Sequence, residues 1–207
     1  MPRFRCPAVL LVTALLAACS QPTTVVTVAL PGADGRTIPV AEQAMVLLPY
    51  DRDSITAALT AAWPTPRPDT LPLTTLLDSL RGAYARFVAA PPARRDAARR
   101  EMESLRSTLE PRIALLRAAQ HEWQDGAWRT YDSLTFALVR HLARDPFADT
   151  TDAQGMARVT PSRPGPWWVT MTAWAQADPY TEWYWNVPLT GDTLRLTTAN
   201  ASHRRRY

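Results

Sequence analysis

The chain has 207 residues, 46% of them hydrophobic and 20% charged, with a formal net charge of +4. That length accommodates one substantial domain or two small ones, each with a real core. Every basic side chain is an arginine, since lysine is absent, and so small a charge excess supplies no electrostatic footprint for nucleic acid, so no such partner is expected.

The first stretch, "MPRFRCPAVLLVTALLAACS", has Arg3 and Arg5 ahead of an apolar run, Pro7 to Ala18, that is too short to span a bilayer comfortably. It ends in Leu16-Ala17-Ala18-Cys19, small residues directly before a cysteine. This resembles a bacterial lipoprotein signal with its lipobox. The resemblance implies a signal peptide over 1–18, cleavage before Cys19, and acylation (palmitate among the chains) of that sulfur and the new amino terminus. Several acyl chains would give stable membrane anchoring where one would not. Ser20, where an aspartate would favour inner-membrane retention, favours the outer membrane. With Cys6 removed and Cys19 lipidated, no disulfide and no cysteine-ligated zinc is expected, so a packed core must carry the stability.

Residues 19–23 read as a short polar tether. "TVVTVAL" has β-branched residues at strand density, "PGADGRTIPV" supplies a turn, and "AMVLLPYD" reads as a second strand ending at Pro49. A proline-rich connector, "AAWPTPRPDTLP", follows. Over 69–145 the apolar spacing becomes helical. Leu73, Leu76, Leu77, Leu80, Tyr84 and Phe87 form one stripe; Met102, Leu105, Leu109, Ile113, Leu116 and Trp123 form another. Pro111, which lacks an amide proton, predicts a kink or break in the second helix. Gly126 predicts a turn, and a third helix then places Trp128, Tyr131, Leu134, Leu138 and Leu142 on one face. Strand character returns over 146–200, with Thr190-Gly191-Asp192 as a hairpin turn between the last two strands. Residues 201–207 read as a basic tail, disordered by default.

The flanks, 24–60 and 146–200, carry a second resemblance. "GADGRTIPVAEQAMVLLPYD" and "TDAQGMARVTPSRPGPWWVTM" resemble the transthyretin-like, or carboxypeptidase-regulatory-like, β-sandwich group, through Thr151, Asp152, Gly155, Pro164, Gly165 and Trp168. The resemblance implies an α+β chain: an antiparallel β-sandwich with a three-helix segment inserted over 69–145. It departs from the group's pattern in placing helices between the second strand and the Thr-Asp turn. The residues have their own physical reading: Gly155 and Gly165 suit positive φ, and Asp152 can accept backbone amides and hold a turn.

The aromatic run "DPYTEWYWNVPLT" divides by strand periodicity into two faces. Trp183, Trp185 and Val187 form an apolar face suited to core; Glu182, Tyr184 and Asn186 form a polar one. An alternative places Trp174, Tyr180 and Tyr184 outside as a stacking platform for sugar rings. "HEWQD" at 121–125 lacks the second histidine of a metalloprotease helix, Asp125 standing in its place. His121 and His141 therefore read as helix-surface residues, and no metal or cofactor is expected. The run "ARRDAARREMESLR" reads as a solvated helix face, or else as a contact with an anionic surface through Arg94, Arg95, Arg99 and Arg100. Together these features predict a lipid-anchored envelope protein without catalytic activity, a binding or assembly module whose partner is an envelope protein or glycan. The alternatives are carbohydrate or envelope-polymer binding through exposed aromatics, and a periplasmic hydrolase. An exposed apolar patch on the helical insertion would distinguish the first.

Overall fold

A computed structural model of the chain describes residues 22–32, 34–174 and 181–205, with the backbone alone over 202–205. The fold is mixed α+β, with strands in two sheets, nearly all paired antiparallel, and four α-helices inserted between the third and fourth strands.

In the first sheet, β1 (Thr24–Pro31) runs up the middle. β5 (Met156–Val159) and the short β2 (Thr37–Pro39) lie along one edge of it, and β8 (Thr193–Leu196) pairs with it in parallel. Val28 shows how β5 and β2 share an edge: its amide donates to Gly155 O at 2.8 Å while its carbonyl accepts from Val40 N at 2.9 Å. The second sheet runs β4 (Phe147–Thr150), β3 (Ala44–Leu48), β6 (Trp168–Trp174), β7 (Thr181–Pro188) and β9 (Ser202–Arg205). Alternating residues of both sheets meet in one apolar cluster. Val26, Val28 and Leu30 from β1 join Met45 and Leu47 from β3, Val169 and Met171 from β6, and Trp185 from β7. In β1 the burial alternates with period two, as a sheet with one wet face requires.

The turn before β5 behaves as its residues predict. Asp152 Oδ1 accepts from Gln154 N and Met156 N, each at 2.9 Å, and Gly155 has φ 70°. A Cβ at Gly155 would lie 2.7 Å from Val28 O, so the position excludes any side chain on two counts. Gly165 has φ 130° and leaves room for the guanidinium of Arg144, which donates to Pro166 O at 2.8 Å and lies over the Trp167 ring.

Several expectations are corrected. The Thr190-Gly191-Asp192 segment is not a hairpin turn: β7 belongs to the second sheet and β8 to the first. The segment crosses between sheets, held to β1 by Val25 N to Asp192 O and Thr24 Oγ1 to Gly191 O, both 2.9 Å. The basic tail is not left free over 202–205, which pairs with β7 in the register Thr181↔Arg205. The 69–145 segment holds the three expected helices, but a fourth, α1 (Arg52–Ala62), forms directly after β3 in the stretch assigned to the first part of the sandwich. Asp51 caps it, accepting from Asp53 N and Ser54 N, a contact worth about 1 kcal/mol. α2 (Leu71–Ala89) carries the first helical stripe, except that Tyr84, expected on its inner face, is exposed. α3 (Pro92–Ala127) is one helix of 36 residues, unbroken at Pro111 and running through Gly126. Pro111 lies on its exposed side between Leu109 and Ile113, which are buried at 8% and 4% exposure; their packing against α2 outweighs the missing bond. α4 (Tyr131–Leu142) begins after the turn at 128–130, and Leu134, expected on its inner face, is exposed.

Candidate docking surface

Tyrosine and tryptophan side chains govern how the helices meet the sheets and one another. The face of β6 and β7 opposite the core carries Thr170, Tyr184 and Asn186. Tyr184 is only 7% exposed; its hydroxyl donates to Asp53 Oδ1 at 2.7 Å and Arg52 lies over its ring. Asn186 donates to Asp51 and accepts from Thr170 Oγ1 at 3.0 Å. The first turn of α1 thus sits on the sheet through two carboxylates. Burial alone would raise the Asp51 pKa, but hydrogen bonds from Ser54, Asn186 and the Asp53 amide outweigh it and hold the group below its ordinary value. At the neighbouring joint with α4, burial first and the Tyr50 hydroxyl second hold the Tyr131 phenol above its ordinary value.

The proline-rich connector is a strap on the C-terminal part of α3. Trp123 Nε1 donates to Thr65 O at 2.8 Å, Arg67 lies over Trp123, and Arg129 lies over Trp63. Gly126 is required here for close approach: a Cβ there would lie 2.8 Å from the Trp63 ring. Trp128 completes the joint by donating to Thr60 Oγ1 at 3.2 Å.

Beyond this strap, α2 and α3 pack chiefly against each other as an antiparallel arm. At 1.5 Å per residue, α2 is about 28 Å long and α3 about 54 Å. The arm has its own core: Leu73, Leu109 and Ile113 are buried, with Leu76, Leu77, Leu80, Leu105 and Leu116 packed around them. Arg86 and Glu101 clasp the two helices at 3.0 Å. The seam does not use all the apolar residues. Leu71 and Leu115 are 67% and 72% exposed, on the walls of a groove with Pro72, Leu76, Arg112 and Leu116.

The residues singled out in the sequence fall in different places. Trp183, Trp185 and Val187 do face the core. Tyr184 does not offer a stacking ring, because α1 covers it. Trp174 is 39% exposed and lines a shallow cleft with Ile38, Val40 and Gln43. Tyr180 and Cys19 lie outside the described residues. His121 and His141 are exposed on α3 and α4, well separated in sequence. Arg94, Arg95, Arg99 and Arg100 are all exposed near the start of α3. Among the described residues, no group of His, Cys, Asp or Glu is placed to hold a metal ion, and no helix is long and apolar enough to cross a membrane.

Sequence reasoning missed three elements of this surface. Asp51 and Asp53 had a signal, a capping aspartate three residues before Ser54 and an alanine-rich stretch beyond it. Leu115 had one as well, being an apolar residue beside the α3 stripe rather than in it. Arg144 had none, since its partners are carbonyls distant in the chain. No protein-family model matches this chain, and neither does any curated protein or solved structure.

Proposed function

We propose that the chain is a lipid-anchored cell-envelope protein that works without catalysis, engaging a second envelope protein through its helical arm. In this reading Cys19 carries the lipid, at the outer membrane in preference to the inner. The two sheets close as a transthyretin-like sandwich that serves as scaffold, and the insertion is the working part. The observation that carries the reading is the pair Leu71 and Leu115, exposed on opposite walls of one groove although the seam beside them is closed. Covering a leucine side chain stabilises a contact by about 2 kcal/mol, so a partner with one apolar ridge gains from both walls. The test compares the full chain with its Leu71→Ser/Leu115→Ser variant in mild detergent extracts of its own membranes. The wild type is expected to migrate with a partner and the variant alone; co-migration of both would sink the reading.

A second reading, glycan binding, is favoured by Trp174 and Gln43 sharing one cleft. It requires a folded Trp174→Ala variant to lose binding to isolated envelope polymer.

A further inference from the structure

The far end of the arm has a different chemistry from the groove at its base. Where α2 ends and α3 begins, Arg94, Arg95, Arg99 and Arg100 occur within nine residues of the α3 start. All four are exposed. Over 78–103 six arginines stand against four carboxylates, and two of the carboxylates, Asp78 and Glu101, are already taken by Arg81 and Arg86. The same end exposes apolar surface: Val88 is 58% and Tyr84 44% exposed. Tyr84, Phe87 and Arg99 are contiguous. Tyr84 lies 6.3 Å from the Phe87 ring, and Arg99 stands over that ring at 5.7 Å. Tyr84 and Val88 are one helical turn apart on α2 and so share a face.

We infer that this tip docks on an anionic lipid surface, with Val88 and Tyr84 entering the headgroup layer and the four arginines meeting the headgroup phosphates. A soluble acidic partner would account for the arginines alone. A cationic rim around an exposed aliphatic and a tyrosine is the pairing that an interface between water and acyl chains selects, because each basic side chain buries its stem while its charge stays wet. Arginine adds bidentate hydrogen bonding to phosphate. The inference is independent of the groove: tip and groove occupy opposite ends of the same helix pair, so lipid at one leaves the other open to protein.

The experiment places a diazirine-bearing residue at position 88 of the full chain, reconstituted on phosphatidylcholine vesicles with or without phosphatidylglycerol. After illumination, adducts are read by mass spectrometry. Phosphatidylglycerol adducts are expected, falling at least about tenfold when all four arginines become Gln and persisting when they become Lys, since each cation near such a surface contributes about fivefold. The same probe at position 115 should give no lipid adduct. An absence of lipid adducts at 88, or a yield indifferent to the four Gln substitutions, would overturn the inference. Either result leaves the Leu71 and Leu115 test untouched.

Discussion

Tyr184 and Asp53, 131 positions apart in the chain, are joined by a 2.7 Å hydrogen bond from the phenol to the carboxylate. The bond ties β7 to the first turn of α1, and through α1 it sets where the whole helical insertion leaves the sheet.

Tyr184→Phe removes the hydroxyl that makes this bond and keeps the ring. The buried hydroxyl serves a charged acceptor, so the loss should be about 1.5 kcal/mol, reduced somewhat by the exposure of Asp53. The midpoint of urea unfolding reads it. A ring kept for ligand stacking would leave that midpoint where it was.

The Asp51 carboxyl has a folded pKa below its ordinary value of 3.8. Its contribution to stability is therefore fully present above that value and is lost as pH falls through the depressed folded pKa. Asp51→Asn keeps a capping oxygen but removes the charge. The variant should be less stable at neutral pH, and its stability should fall less steeply on acidification below pH 3.8. Chemical unfolding at a series of acidic pH values measures both; a slope equal to wild type would show that the hydrogen bonds at Asp51 do not favour its charged form.

Gly155→Ala places a Cβ against Val28 O in a backbone of φ 70°. The left-handed conformation costs about 1–2 kcal/mol for a non-glycine residue, and the backbone contact adds to it. A thermal midpoint lowered by several degrees is expected, with the loss concentrated in amide protection of β1 and β5.

Pro111→Ala should stabilise. The proline sits inside a continuous α3 on its exposed side, where it lacks an amide to donate and has the poorest helix propensity. A gain of about 1 kcal/mol or more is expected in urea unfolding. Leu109→Ala, two residues earlier and in the seam, should cost about 2–4 kcal/mol.

Much of this fold was legible from local pattern. Val26, Val28 and Leu30 announced β1 by alternation, the stripe from Leu73 announced α2, and Asp152 with Gly155 announced the turn before β5. Pairing across sheets was not legible. Gly191 between two strand-like runs looks the same in a hairpin as in a crossover, and only the parallel partnership of β8 with β1 decides it. Pro111 misled because propensity is local whereas the packing of Leu109 and Ile113 against Leu73 is not. Tyr184 misled in the opposite sense: its strand face was read correctly as outer, but a helix capped by Asp51 covers that face. The groove at Leu71 and Leu115 was foreseen only as a kind of feature, an apolar patch on the insertion. Its residues depend on which leucines the seam leaves out.

A partner protein held in the groove at Leu71 and Leu115 can be caught directly. With no lysine in the chain, amine-directed crosslinking has no side chain to use, so the direct measurement is photocrosslinking in intact cells from a benzophenone residue at position 115. One dominant protein adduct is expected at 115, absent when the same residue replaces Arg158 on the wet face of β5 and lost when Leu71→Ser is added. Adducts of equal pattern at 115 and 158, or none at 115, would contradict a partner in the groove.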